Sequence, residues 1–126
     1  MVDINKQIQY WKDGAFSDLK TADILIEENR FLHGLFFCHL SIEKILKALV
    51  VQQTKDLAPK THNLLLLLSR TTVSIDDADN RFLGILMKYQ LEGRYPDYDP
   101  ALLTRNQAKE YFAKTKELLE CFTKKL

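Results

Sequence analysis

The sequence predicts an all-α fold, a bundle of four main helices and one short helix. Apolar residues recur at three- and four-residue spacing along most of the chain, and no segment alternates between apolar and polar residues as a strand would. The three prolines fall in two short stretches, around Pro59 and at Pro96 and Pro100. Because proline disrupts helices, these stretches are expected to be loops. The length fits a single domain over residues 1–126.

The first two predicted helices differ in how their apolar residues are distributed. The first extends from about Asn5 to Asn29 and has one apolar face. The positions on that face are Ile4, Ile8, Trp11, Ala15, Leu19, Ala22 and Ile26. The second, from Phe31 to Gln53, is apolar around most of its circumference. Such a helix is typical of the middle of a bundle or of a dimer seam.

Sequence signals also mark the helices that follow the loop at Pro59. Thr61 is predicted to cap a short helix from His62 to about Arg70, which carries five consecutive leucines. Ser74, with Asp77 three residues later, resembles a capping box and indicates the start of the next helix.

The last two predicted helices flank the segment RYPDYD. The first of them extends from about Asp76 to Leu91, and Gly93 suits its C-terminal end. Asp99 before a proline is a strong start signal for the final helix, predicted over Pro100–Lys124.

Charge and cysteine usage exclude several classes of protein. The chain has 18 basic and 17 acidic side chains, and a net charge of +1 gives no general attraction to nucleic acids or membranes. No stretch approaches the apolar length of a membrane span or a signal peptide. Cys38 and Cys121 lie in helical segments without CxxC spacing, so we expect a reduced, cytoplasmic protein without disulfides or zinc.

The residues also lack the motifs of conventional enzymes. The glycines are isolated, so there is no phosphate-binding or dinucleotide fingerprint. His33 and His39 are six residues apart, on roughly opposite sides of a helix, and would not chelate one metal ion. We therefore expect no cofactor, no metal and no conventional hydrolase, kinase or oxidoreductase activity.

A polar stripe interrupts the second helix. His39, Glu43 and Lys47 follow each other at four-residue spacing, with Lys44 beside them. One interpretation is a solvated face with a Glu43–Lys47 ion pair in the favourable order. The other is that the stripe faces a cleft or another polar segment, because burying unpaired polar groups is costly. The residues leave both interpretations open.

Two further segments carry polar residues that core packing does not explain. In THNL, His62 either forms a local hydrogen bond in the first helical turn or lines the same cleft as a phosphate or base contact. In GRYPDYD, Arg94 is followed by two tyrosines, a combination that suits anion binding and base stacking. The structural alternative is that Arg94 pairs with Asp97 or Asp99. Because loops carry function more often than cores do, the functional interpretation of this loop is favoured.

These segments together resemble the HEPN domain. A Trp near the start is followed, in order, by AFSDLKTADILI, FFCHLSIEKILKALV, THNLLLLL and GRYPDYD. Each motif alone is weak, but IEKxxKA, THxL and RYPD in this order are specific together. The resemblance implies an antiparallel up-and-down bundle that commonly dimerises and has a nucleotide- or RNA-related role. Small free-standing prokaryotic members often act with a nucleotidyltransferase in toxin–antitoxin-type pairs.

Other HEPN members are metal-independent ribonucleases, whose motif is an Arg followed by four to six intervening residues and a His. In this sequence two residues separate Arg30 from His33 and eight separate it from His39, and no His follows His62. The motif is therefore absent. General acid–base cleavage of RNA without a metal needs a group that titrates near neutral pH, and His is the usual choice. Because the motif that would supply this His is absent, RNA cleavage is not expected.

The resemblance to the RYPD-bearing branch implies a nucleotide site. In that branch's pattern Arg94 and Lys47 hold phosphate, Tyr95 packs or stacks, and Asp97 and Glu43 orient the cations. The full set of candidate binding residues is Glu43, Lys44, Lys47, His62, Arg94, Tyr95 and Asp97.

Three functions remain as hypotheses. The leading one is a non-catalytic HEPN module that binds a nucleotide or a nucleotide-bearing partner, such as a nucleotidyltransferase, and forms a homodimer. The second is a ribonuclease toxin with a non-standard site at His39 or His62, although the charge does not indicate RNA binding. The third is a pure interaction module in which the apolar second helix forms a dimer or partner seam. None involves a membrane.

Overall fold

Five α-helices form the regular structure of residues 3–90 and 103–126, the part of the chain that the computed structural model describes. They are α1 (Ile4–Glu27), α2 (Phe31–Thr54), α3 (Leu64–Ser69), α4 (Asp77–Met87) and α5 (Arg105–Thr123). These residues contain no strand, so the predicted all-α fold is confirmed. None of these five helices is both long and apolar enough to cross a membrane.

Helices α1 and α2 form an antiparallel pair joined by a three-residue turn. Asn29 in this turn has a positive φ of 63°, which ends the helical path and reverses the chain. Near the turn, Gly34 lies against Ile26, and further along the Ser41 hydroxyl donates a hydrogen bond to the Ala15 carbonyl at 2.8 Å. Small residues at these points let the two backbones approach closely.

Helix α2 lies at the centre of the fold, because it contacts each of the other four helices. Its own bundle therefore covers much of its apolar surface, as expected for a helix that is apolar around most of its circumference. Every apolar side chain of α2 from Ser41 to Val51 is buried, whereas five nearer its start are partly exposed: Phe31, Leu32, Phe36, Phe37 and Leu40. Helix α5 packs on α2 and α1, and its first residue, Arg105, forms an ion pair with Glu27 at 3.3 Å.

Helices α4 and α5 also run in opposite directions. Asp79 in the first turn of α4 forms an ion pair with Lys114 at 2.5 Å. One turn later, the Phe82 ring lies 5.9 Å from the ring of Tyr111, which is one turn earlier in α5. The four main helices thus follow the predicted up-and-down order, with the short α3 between α2 and α4.

The core is formed by one face of each outer helix packed against α2. The buried apolar residues of the outer helices are Ala15, Leu19, Ala22 and Ile26 in α1, Leu64, Leu67 and Leu68 in α3, Phe82, Leu83 and Leu86 in α4, and Ala108, Leu118, Leu119 and Phe122 in α5. The helical spacing in the sequence predicts most of these positions. Ile4, Ile8 and Trp11 at the start of α1 are only partly buried.

The short helix α3 begins later than predicted. Asn63 caps it, and its side-chain oxygen accepts a hydrogen bond from the Leu66 amide at 3.0 Å. The predicted cap at Thr61 is wrong, because the Thr61 hydroxyl instead accepts from the Asn63 amide. His62 therefore precedes the helix and belongs to the loop.

Helix α4 is shorter than predicted, and a neighbouring residue caps it. The Asp76 carboxylate accepts a hydrogen bond from the Asp79 amide at 2.8 Å, so the predicted capping box of Ser74 and Asp77 is wrong. The helix ends at Met87 instead of continuing towards Leu91.

Helix α5 starts later than the proline signal predicts. Thr104 caps it by accepting a hydrogen bond from the Gln107 amide at 3.1 Å, and Leu103 is not helical. The predicted continuous helix from Pro100 is therefore wrong. Leu91, Gly93, Asp99 and Pro100, which carried the predicted signals, lie outside the described residues.

Two helical glycines differ in how much space surrounds them. A Cβ at Gly34 would lie 2.6 Å from Cγ1 of Ile26 and 3.3 Å from the carbonyl oxygen of Ala22, whereas no described heavy atom lies within 4 Å of a Cβ at Gly84. We expect Gly34→Ala to lower the free energy of unfolding by about 1–3 kcal/mol through overpacking. Gly84→Ala should raise it by about 0.5–1 kcal/mol, because alanine is the better helix former. Urea denaturation measures both, and a stabilising Gly34→Ala would contradict the close α1–α2 contact.

Candidate functional site

The polar stripe of α2 is buried. The exposed fractions are 0% for His39, 3% for Glu43 and 7% for Lys47. The interpretation of this stripe as a solvated face is therefore wrong. Buried charged groups require partners, since an unpaired charge in an apolar environment is very costly. The partners come from α1 and from the loop before α3.

Glu43 is the residue to which the other polar side chains bind. Its Oε2 accepts a hydrogen bond from Nζ of Lys47 at 3.0 Å, and its Oε1 accepts one from Nδ1 of His62 at 2.8 Å. The Lys47 ammonium also lies 5.0 Å from the centre of the Trp11 ring, within the range of a cation–π interaction. A carboxylate and an ammonium are thus buried as a pair, with an imidazole and an indole around them.

His39 connects the same carboxylate region to the backbone of the loop. Its Nε2 lies 3.0 Å from the carbonyl oxygen of His62. A carbonyl only accepts hydrogen bonds, so Nε2 carries the proton and Nδ1 does not in the neutral ring. This Nδ1 lies 3.7 Å from Oε1 of Glu43 and has no hydrogen-bond partner among the described residues. Burial lowers the pKa of His39 below its ordinary value of 6.5, although the nearby Glu43 charge opposes this effect.

These five residues, Trp11, His39, Glu43, Lys47 and His62, are referred to below as the Glu43 cluster. The four-residue spacing of α2 places its three members on one side of the helix. The antiparallel α1 supplies the indole, and the loop that ends at the cap of α3 supplies His62. The side chain of His62 is 48% exposed, so the cluster reaches the protein surface through this imidazole.

Lys44 lies apart from the Glu43 cluster. Its ammonium forms an ion pair with Asp18 of α1 at 2.7 Å. It also lines a separate surface groove of about 320 Å³ together with Tyr10, Asp13, Gly14 and Ser17. The structure therefore brings Glu43, Lys47 and His62 together and places Lys44 elsewhere. Arg94, Tyr95 and Asp97 lie outside the described residues.

The Glu43 cluster consists of hydrogen-bonding groups and contains no thiol. The described part of the chain contains no group of His, Cys, Asp and Glu residues that could hold a metal ion. Burial raises the pKa of the Cys38 thiol to about 12, with partial opposition from a hydrogen bond to Thr115. Because the thiolate is the nucleophilic form, Cys38 is inert at neutral pH.

Comparison with known proteins identifies the family. The family model described as the HEPN domain matches residues 8–126. The chain belongs to the HEPN family. Among solved structures, the crystal structure of TT1696 from Thermus thermophilus is similar to this HEPN domain, with a TM-score of 0.80 and 23% sequence identity. The match covers 95% of this chain and 98% of that one, and it supports the same fold. No curated protein matches the chain.

Sequence reasoning missed the roles of two residues in this HEPN domain. Periodicity predicts Trp11 as one of several core positions on α1, but its ring lies beside Lys47, and its buried Nε1 has no hydrogen-bond partner in the described residues. His39 belongs to the predicted stripe but not to the predicted nucleotide site. The four-residue spacing of His39 and Glu43 is visible in the sequence and indicates that they share one side of the helix. The bond from His39 to the His62 carbonyl joins residues 23 apart, and no sequence pattern indicates it.

The pH dependence of stability tests the state of His39. Folded His39 has a lowered pKa, so the unfolded chain binds a proton more readily as the pH falls through about 6.5. The contribution of His39 is therefore fully present above this pH and is lost below it, at no more than about 1.4 kcal/mol per pH unit. Urea denaturation between pH 5.5 and 7.5 should show a smaller slope for His39→Gln than for the parent.

The control for this experiment is the exposed His33. The variant His33→Gln should retain the slope of the parent, because its imidazole is in water in both states. The titratable and charged groups that face His39 are Glu43, Lys47 and His62, and all three are present in both variants. Equal slopes in His39→Gln and the parent would contradict a neutral buried imidazole.

Proposed function

We propose that this HEPN domain is a non-catalytic module that binds a nucleotide, free or carried by a partner protein. The observation that carries the proposal is the double role of Glu43, whose one buried carboxylate binds both Lys47 and His62. This arrangement holds a half-exposed imidazole in a fixed orientation at the surface. A fixed polar group loses less conformational entropy when it meets a ligand, which favours binding.

The proposed contacts divide between the described cluster and the RYPD segment. Within the cluster, Glu43 neutralises Lys47, so this pair adds little net attraction for a phosphate. His62 is the accessible member and is proposed to contact a phosphate or base. Arg94 is proposed to provide the main phosphate contact, because a guanidinium binds phosphate through two parallel hydrogen bonds. Lys47 then contributes by holding Glu43 in place.

Of the remaining candidate residues, two belong to the proposed site and one does not. Tyr95 is proposed to stack on the base and Asp97 to orient Arg94, as the resemblance to the RYPD-bearing branch implies. Lys44 is omitted from the proposed site, because its ammonium binds Asp18 outside the Glu43 cluster.

The proposal includes a homodimer and a nucleotidyltransferase partner in a toxin–antitoxin-type pair, located in the cytoplasm. These elements come from the resemblance of IEKxxKA, THxL and RYPD to the free-standing branch of the family. The third hypothesis, a pure interaction module, keeps some support, since Phe36, Phe37 and Leu40 on α2 are only partly buried.

A nucleotide screen tests the proposal. Purified protein is heated with AMP, ADP, ATP and the corresponding guanosine nucleotides, and the ligand with the largest shift in melting temperature is studied by calorimetry. We expect Arg94→Ala and His62→Ala to weaken binding at least about tenfold, the loss of one charge-assisted hydrogen bond or more. Arg94→Ala should do so without a comparable loss of melting temperature. The melting temperature of His62→Ala should fall, because Oε1 of the buried Glu43 loses a hydrogen bond, so its binding is measured well below that temperature.

Matched controls for these variants are Arg81→Ala and His33→Ala, which remove exposed side chains of the same two types from α4 and α2. Both should bind nucleotide as the parent does. The proposal fails if none of the nucleotides shifts the melting temperature, or if the Arg94 and His62 variants bind as tightly as the parent.

A ribonuclease is the second candidate function, and the Glu43–His62 pair favours it. A carboxylate that binds Nδ1 of a half-exposed histidine resembles the oriented bases of hydrolytic enzymes. His39 cannot contact RNA, because it is 0% exposed. Incubation of the protein with RNA in the presence of a chelator decides the matter. Cleavage that disappears in His62→Ala supports this function, and intact RNA excludes it.

A further inference from the structure

His39 is a buried polar residue in α2, the central helix of the described bundle. It is completely inaccessible, yet it does not belong to the i, i+4 ion pair of Glu43 and Lys47. A leucine at this position would fill the core without the cost of burying an imidazole. The residue therefore requires an explanation beyond packing.

The hydrogen bond of His39 identifies what it holds. Its Nε2–H donates to the carbonyl of His62, 23 residues later, at 3.0 Å. This bond reaches the loop immediately before Asn63, the cap of α3. A partly buried carbonyl without a donor would cost about 1–3 kcal/mol, so the bond stabilises one particular path of the loop.

His62 is thus held at two points by one helix. Glu43 holds the ring through Nδ1, and His39, one turn earlier on α2, holds the backbone of the same residue. The ring bond constrains the orientation of the imidazole, and the backbone bond constrains the main chain from which it extends. Two bonds from a rigid helix define both the position and the orientation of the imidazole.

We propose that His39 is a positioning residue that fixes the His62 backbone, so that Glu43 can hold the His62 ring in the orientation in which it contacts a ligand. The functional part rests on the proposed nucleotide binding. The structural part, that the backbone bond from His39 helps to order the His62 ring, stands independently of any ligand.

Two amide variants separate the hydrogen bond from the size and polarity of the side chain. In His39→Gln the amide nitrogen can reach the position of Nε2 and donate to the His62 carbonyl. In His39→Asn the side chain is one methylene shorter, so its amide nitrogen falls near the position of Nδ1. We expect Gln to preserve the function of His39 and Asn to lose it, because only Gln has the necessary reach.

The first measurement is NMR of the His62 ring without ligand. In the parent and in His39→Gln, the Nδ1 proton bound to Glu43 should give a distinct, slowly exchanging signal. In His39→Asn this Nδ1 proton should exchange faster by about tenfold, or its signal should disappear.

The second measurement is calorimetry with the nucleotide that binds the parent best. Affinity should fall at least about tenfold in His39→Asn and stay within about threefold of the parent in His39→Gln.

The outcomes distinguish this inference from the proposed function. A parent that binds no nucleotide refutes the function, while the NMR comparison still decides whether His39 positions His62. An unchanged Nδ1 signal in His39→Asn overturns the inference, as does a nucleotide affinity equal to that of the parent. If His39→Asn does not fold, loss of the Nδ1 signal in folded His39→Gln overturns it. The exposed variant His33→Gln should leave both measurements unchanged.

Discussion

The buried carboxylate of Glu43 is the constraint on which the arrangement of polar residues depends. A single carboxylate in the middle of an apolar helix must be paired, and here it binds an ammonium from its own helix and an imidazole from a distant loop. Removing one partner of a buried pair is far more costly than replacing both by apolar residues, because it leaves an unpaired charge. The cluster therefore persists only as a set, which links the position of His62 to the sequence of α2.

The fold brings this set together through the central position of α2. Because α2 contacts every other helix, a polar residue on it faces either α1 or the segments that follow α2, and the Glu43 cluster uses both. The indole of Trp11 covers the ammonium on one side. The loop that ends at Asn63 delivers His62 on the other, at the point where the cluster meets solvent. A rigid helix thus presents a loop residue, which combines accuracy of position with access to a ligand.

Periodicity predicted the helices and most of the core, since apolar faces follow directly from helical spacing. It predicted helix starts less well, because several residues compete as caps within a few positions: Asn63 and Asp76 displaced Thr61 and Ser74. The contacts of the Glu43 cluster were predicted in part. The spacing on α2 aligned its polar residues but also admitted a solvated face. That the stripe is buried, and that it meets His62 and Trp11, depends on tertiary packing. No local pattern encodes that information.

A double-mutant cycle on the Glu43–Lys47 pair tests the central role of the buried carboxylate most directly. The free energies of unfolding of Glu43→Gln, Lys47→Met and the double variant are compared with the same cycle on the exposed pair of Glu27 and Lys109, whose charged atoms are 3.5 Å apart. We expect a coupling of about 2 kcal/mol for the buried pair and about 0.5 kcal/mol or less for the exposed one. Equal, small couplings in both cycles would contradict a Glu43 cluster held together by its buried carboxylate.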